Sequence, residues 1–226
     1  MTQRSVFITG GGSGLGAATA RHLAKLGWRC ALAGRKGERL SVLAAQIKGA
    51  KTYALDVSDA AAVDHAIRDF APDALVNCAG MLGRGEVWEL KSDDFARVLQ
   101  VNVLGTYNAC ASAMRLWRER KREGDIVNVS SLGGIRGLQK FSGFSAYASS
   151  KHAVVGLTEA LALDGKSANI RVNCVAPGTM RTEMTEALGL TPKTQPDSVA
   201  PTIAFLLDRT LSGPITGTTV EVHCND

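Results

Sequence analysis

Short apolar runs alternate with amphipathic stretches along the whole chain. The run at residues 6–9 is followed by a helical pattern over 14–26, where Leu15, Ala18, Leu23 and Leu26 fall near helical spacing. Residues 29–33 precede a helix over 37–48, and residues 52–55 precede one over 59–70, with Ser58 and Asp59 as its caps. Residues 74–77 lead, after a loop, into a long helix over 92–120, and residues 126–130 into another over 145–163. Residues 170–175 lead into short helices ending near Leu207, and residues 219–222 close the series. Such alternation predicts right-handed crossovers and a parallel sheet covered by helices on both faces. The expected architecture is one α/β domain over residues 1–226, doubly wound, with seven strands and its ligand at their carboxyl ends.

Composition narrows the classes. The chain has 226 residues and 45% hydrophobic content, enough for one domain with a sizeable core. No apolar stretch approaches the length of a membrane span, and the strand-like start at Ser5 is unlike a secretory leader. The five cysteines form an odd set without a CxxC pair, which points to reduced thiols and a cytoplasmic protein. The four histidines lack metal-ligand spacing, so no metal is expected. The net charge of +5 invites a nucleic-acid reading, but the densest cluster, residues 118–123, mixes both signs at a helix end. A solvated helix terminus explains it, and neither nucleic acid nor membrane is expected as a partner.

Two stretches carry chemistry. The first is the turn Thr9-Gly10-Gly11-Gly12-Ser13-Gly14-Leu15-Gly16, between the first strand and the first helix. A turn of this kind directs backbone N–H groups and a helix N-terminus at a phosphate, with glycines where φ is positive or where a side chain would block the ligand. Gly10, Gly12, Ser13, Gly14, Leu15 and Gly16 are the candidates for holding a dinucleotide pyrophosphate. About 20 residues further on, an acid binds the ribose of NAD and repels a 2′-phosphate. Here the second strand ends Ala33-Gly34-Arg35-Lys36, with no acid. Arg35 offers a planar fork to a phosphate and Lys36 a second positive charge, which predicts NADP(H) as cofactor.

The second stretch is Tyr147-Ala148-Ser149-Ser150-Lys151. Residues four apart share a helix face, so the ammonium of Lys151 can stand beside the phenol of Tyr147. The expected effect is to draw the phenol's pKa from about 10 toward neutrality, which suits general acid–base work.

With these motifs in view, the chain resembles the short-chain dehydrogenase/reductase family along nearly its whole length. The resemblance is carried by an ordered series. It runs from residues 9–16 through Asp56-Val57, Asn77-Cys78-Ala79-Gly80, Asn102, Ser130-Ser131 and Tyr147…Lys151 to Pro177-Gly178-Thr179-Met180-Arg181-Thr182. It implies a Rossmann-like fold and a catalytic tetrad of Asn102, Ser131, Tyr147 and Lys151. Tyr147 would move the proton, and Ser131, preferred over Ser130, would hydrogen-bond the reacting oxygen. Lys151 would also hold the nicotinamide ribose, and Asn102 would interrupt its helix to hold a water. By the same resemblance Asp56 would accept from the adenine amino group, unless it caps a helix, and Val57 would lie beside the ring. Asn77, Ala79 and Gly80 would support the central strand and adenine ribose. Pro177 and Gly178 would shape the nicotinamide pocket, and Thr182 would bond the nicotinamide amide.

Four positions depart from the family pattern. Cys78 replaces a usual asparagine. Ser131 to Tyr147 spans 16 positions, which enlarges the loop over 133–144. The segment between Thr182 and Pro196 is short, and the tail over 220–226 lacks the usual glycine. The substrate walls would be apolar, from Leu82, Trp88, Ile135, Leu138, Phe141, Phe144 and Met184, with positive charge from Arg84, Arg136 and Lys140. The implied activity is hydride transfer between NADP(H) and a small carbonyl or secondary-alcohol substrate. A 3-oxoacyl thioester reductase of the same fold is the alternative within chemistry. A non-catalytic nucleotide sensor is the alternative outside it, and the tetrad argues against that. The family also implies a homo-tetramer, or a homo-dimer if the altered tail removes one interface, through pairing of the helices over 92–120 and 145–163.

Overall fold

The computed structural model describes residues 3–138 and 140–224. Its elements are β1 (Ser5–Thr9), α1 (Gly14–Lys25), β2 (Arg29–Gly34), α2 (Gly37–Ala44), β3 (Lys51–Ala54) and α3 (Ala60–Phe70). They continue as β4 (Ala74–Asn77), α4 (Ser92–Leu99), α5 (Gly105–Glu119), β5 (Gly124–Val129), α6 (Ser145–Gly165) and β6 (Ile170–Pro177). The chain ends with α7 (Glu183–Glu186), α8 (Pro196–Leu207), α9 (Arg209–Ser212) and β7 (Thr219–Val222). All seven strands pair in parallel, in the order β3-β2-β1-β4-β5-β6-β7. The strand order reverses between β1 and β4, and a crevice at their carboxyl ends follows from that reversal. This is the doubly wound, Rossmann-like α/β fold that the alternation predicts.

Strand periodicity divides the core in two. In β1, Val6 and Ile8 face one way and pack with Leu23, Leu32 and Ile203 under α1 and α8. Phe7 faces the other way and packs with Ile67, Leu75, Trp117 and Ile126 under α3 and α5. β1, β4 and β6 are buried throughout, as strands covered on both faces must be.

The ends of several elements differ from the sequence expectation, for local reasons. Leu26 is 59% exposed, because α1 stops at Lys25 and the positive φ of Gly27 turns the chain away. Asp59 caps α3 by accepting from the N–H groups of Ala61 and Ala62, whereas Ser58 turns to Asp56. The expected long helix is two helices, α4 and α5, joined by one π-turn over Gln100–Leu104. Gln139 of the enlarged loop and Asn225 and Asp226 of the tail lie outside the described residues.

At the amino ends of the strands, Asp125 in β5 is 2% exposed and meets three arginines. Arg171 of β6 donates to it at 2.8 Å, Arg4 at 2.7 Å and Arg209 of α9 at 3.0 Å. Arg171 also donates to the carbonyls of Leu206 and Ser212. A buried carboxylate is tolerated when it is paired and bonded in this way.

The start of β5 is set by Trp117, whose indole N–H donates to the Pro72 carbonyl at 2.7 Å. Its ring lies where a Cβ on Gly124 would have to go. Overpacking a filled site costs about 2 kcal/mol, and about 2–4 °C in Tm follows per kcal/mol in a chain of this size. Gly124→Ala should therefore lower Tm by roughly 4–8 °C in a thermal denaturation followed by circular dichroism. An unchanged Tm would mean that the Trp117 ring can move aside.

Candidate active site

The site starts where β1 ends. Gly10 takes φ +65°, and a Cβ there would sit 2.7 Å from the backbone N of Ala79. A side chain on Gly16 would run into the carbonyl of Gly10. Two backbones and a helix start are therefore in direct contact, which only glycine permits. Ser13 precedes α1 in extended conformation, is exposed and makes no side-chain capping bond, while the Leu15 side chain is buried in the core. The first-turn N–H groups of α1 lack intrahelical partners and suit an anion. Gly12 is hemmed in by Leu40 and Arg39. This cradle fits the pyrophosphate of a nicotinamide dinucleotide. Arg35 and Lys36 are exposed at the carboxyl end of β2, beside Gly34.

Asp56 is not the helix cap. One carboxylate oxygen accepts from the N–H and hydroxyl of Ser58, and the other accepts from Arg97 at 2.7 Å. Burial opposes its charge, but those hydrogen bonds and the Arg97 guanidinium outweigh it and hold the pKa at about 2. Val57 is buried, and its side chain fills the space above Gly105 of α5. Asn77 is also buried, donating to Asn128 at 2.9 Å and accepting from Thr9 at 3.2 Å. It ties β1, β4 and β5 together, and Thr9 in turn accepts from Ala79 N–H at 3.3 Å. Pro177 is buried at the end of β6, Gly178 packs against Cys224 and Leu132, and the Thr182 hydroxyl caps α7.

The four tetrad candidates converge beyond this cradle. The π-turn in front of α5 places Asn102 with its carboxamide on two segments. Its oxygen accepts from Met81 N–H at 2.8 Å, and its nitrogen donates to the Met81 carbonyl at 3.0 Å and to Ser150 at 2.9 Å. Ser150 donates onward to the Tyr147 carbonyl at 2.7 Å. Gly80 lies next to both Asn102 and Lys151. The Lys151 ammonium donates to the Val129 carbonyl at 2.9 Å and lies 5.7 Å from the centre of the Tyr147 ring.

The two serines separate cleanly. Ser130 is buried and donates to the Lys151 carbonyl at 2.8 Å, so its hydroxyl is spent on α6. Ser131 turns the other way and accepts from Gly133 N–H, and its hydroxyl lies close enough to the Tyr147 phenol to ease loss of the phenol's proton.

The expected downward pull of Lys151 on Tyr147 is not what the structure shows. Burial pushes the phenol's pKa up, and only the Ser131 hydroxyl draws it back in part. Lys151 stands over the ring and bonds a carbonyl, so burial dominates. The same burial lowers Lys151 to about 8, against small opposing effects of the Cys174 and Cys78 thiols.

Sequence reasoning missed four residues here. Ser150 lies inside the Tyr147–Lys151 stretch, and its position one turn after Tyr147 was the available signal. Arg97 and the pair Arg39–Glu183 had none, because their partners are distant in sequence. The mouth also differs from expectation. Lys140 is turned onto the Ile135 and Leu138 carbonyls, and Trp88 and Phe141 are 79% and 63% exposed. Gly85 N–H donates to the Gly143 carbonyl and Ser142 to Glu86, bracing the two loops at the mouth.

A dinucleotide cradle beside a clustered tyrosine, lysine and serine defines a nicotinamide-type oxidoreductase of the doubly wound class. The family model described as short chain dehydrogenase matches residues 4–193. Levodione reductase of Leifsonia aquatica is 36% identical over 197 residues, covering 82% of this chain and 72% of that protein. The 3-oxoacyl-[acyl-carrier-protein] reductase FabG of Rickettsia prowazekii is 30% identical, covering 99% of this chain and 96% of its own. Among solved structures, that of ElxO with NADP bound superposes with a TM-score of 0.86 at 30% identity, covering 98% of each chain. The chain belongs to the short-chain dehydrogenase/reductase family and is an oxidoreductase. No helix among the described residues is long and apolar enough to cross a membrane.

With its pKa near 8, Lys151 is charged at neutral pH and loses its proton just above. Carbonyl reduction should hold steady below that point and fall as pH rises through about 8, since the ammonium that faces Tyr147 disappears. A pH profile of kcat/KM measures this, and activity that stays flat to strongly alkaline pH would remove the ammonium from the reaction.

Proposed function

We propose that this protein is an NADP(H)-dependent oxidoreductase that interconverts a carbonyl compound and its secondary alcohol, with Tyr147 as acid and base. The observation that carries the reading is the Tyr147 phenol set between the Ser131 hydroxyl and the Lys151 ammonium. A phenol whose pKa is raised by burial keeps its proton at neutral pH, as a general acid for a carbonyl oxygen must. Ser131 donates to the same oxygen and stabilises the charge that develops there. Lys151 supplies a nearby positive charge, and Asn102, through Ser150, fixes the turn of α6 that carries Tyr147. When bound in the cradle, the nicotinamide cofactor supplies or accepts the hydride. Exposed Leu104 and Tyr107 around the start of α5, and Leu163 on α6, support pairing of these helices between copies.

The substrate reading has two forms. The apolar mouth formed by Leu82, Ile135 and Phe144 favours a compact ketone or diketone, and levodione reductase is a relative. The near full-length match to a 3-oxoacyl-[acyl-carrier-protein] reductase favours an acyl thioester instead. Oxidation of NADPH with a panel of diketones, ketones and acyl thioesters separates the two.

Tyr147→Phe should lower kcat by roughly 10²–10⁴, the range for a lost general acid, and leave cofactor affinity nearly intact. A variant that keeps more than about a tenth of wild-type kcat would refute the role of Tyr147.

The preference for NADP(H) rests on Arg35 and Lys36 at the acid-free end of β2. The double change Gly34→Asp with Arg35→Ile should shift kcat/KM toward NADH. A wild-type enzyme that favours NADH would overturn this part of the reading.

A further inference from the structure

Arg39 and Glu183 reach toward each other from opposite sides of the glycine turn. Arg39 stands in the first turns of α2, one helical turn beyond Arg35, on the β2 side of the crevice. Glu183 is the first residue of α7, on the β6 side. One guanidinium nitrogen of Arg39 donates to both Glu183 carboxylate oxygens at 2.6 Å. The turn lies beneath them. The Cβ of Arg39 is 3.5 Å from where a Cβ on Gly12 would stand, and the Thr182 methyl is 3.4 Å from the corresponding point on Gly14. Lys36 also acts on Glu183 through its charge. The start of α2 thus turns positive charge toward a single carboxylate held over the phosphate cradle.

This pair is a poor candidate for a structural strap. Its side chains are 41% and 62% exposed, where an ion pair contributes little and is screened by salt. α7 does not need it, since Thr182 and Thr185 form a reciprocal capping box at its start. What the pair does achieve is to occupy Arg39 with an anion beside the end of β2, the position where the ribose phosphate of NADP(H) is recognised.

We infer that Glu183 competes with the cofactor's 2′-phosphate for Arg39, so that Arg39 is a second phosphate-binding arginine and Glu183 tunes the preference for NADP(H) over NAD(H). The inference rests on the NADP(H) reading above. A phosphate brings more negative charge and more acceptor oxygens than a carboxylate, and it displaces Glu183 from an exposed pair at little cost. NAD(H) carries no such group and leaves the Arg39–Glu183 pair closed.

Titrating NADPH and NADH into the wild type, Glu183→Gln and Arg39→Gln, with nicotinamide fluorescence as readout, tests it. Glu183→Gln should bind NADPH several-fold tighter and NADH within about twofold of wild type, because only the competitor of the phosphate is removed. Arg39→Gln should bind NADPH roughly tenfold more weakly, again with little change for NADH, and Arg39→Lys should recover part of the loss. Both positions are exposed, so the variants should fold, and their Tm values check this. If Glu183→Gln leaves NADPH affinity unchanged, or shifts both cofactors equally, the pair is only a strap and the inference is wrong. A wild type that binds NADH more tightly than NADPH would instead bring down the cofactor reading, and this inference with it.

Discussion

The carboxamide of Asn102 uses both of its ends on groups that would otherwise have no fixed relation. Its oxygen and nitrogen hold the backbone of Met81 just beyond β4, and its nitrogen also holds Ser150 within α6. A regular helix would carry this side chain past both partners. The π-turn over Gln100–Leu104 adds the extra backbone that brings it back, and such turns often mark functional sites. The register of Tyr147 and Lys151 against the crevice therefore depends on a buried amide with both of its N–H donors and its oxygen engaged. In a low-dielectric setting a partly satisfied amide would be costly, so the arrangement is closer to all-or-none than to adjustable.

The groups proposed to react show the same economy. Two adjacent serines have opposite fates: Ser130 anchors the loop to α6, and Ser131 is left facing the phenol. Burial acts on tyrosine and lysine in opposite senses, keeping the proton on one and loosening it on the other. In the proposed reaction, a phenol that retains its proton beside an ammonium close to losing one would be a matched donor and reservoir.

Much of this was legible in the chain because backbone geometry demands particular residues. The contact between Gly10 and Gly16 admits no side chain, so the turn announces itself, and strands buried on both faces read as apolar runs. The gathering of Asn102, Ser131, Tyr147 and Lys151 in one place was legible through resemblance and through the four-residue spacing of Tyr147 and Lys151. The split of the long helix was legible only through the resemblance, which has Asn102 interrupt it, since its apolar pattern continues through the π-turn. The direction of the Tyr147 shift was hidden, because spacing reports a neighbour's charge and says nothing of how deeply the ring is buried. Asp56 looked free for a ligand or a cap until folding delivered Arg97, 41 residues away. Arg39 and Glu183, 144 residues apart, meet only because β2 and β6 both end at the crevice.

The Asp125 cluster lies at the far end of the sheet from all of this, and its consequence is kinetic. Arg4 and Asp125 are 121 residues apart, and Arg209 reaches the same carboxylate from 84 residues further along the chain. The cluster is complete only when Arg4, just before β1, and β5, β6 and α9 have come together. Contacts of such long range are formed only after much chain entropy has been lost, and they slow folding. A nascent chain would hold β1 through β5 with Asp125 still lacking Arg171 and Arg209. The residues after β5, with Arg171 and Arg209, then close a charge network in which Arg4 already takes part.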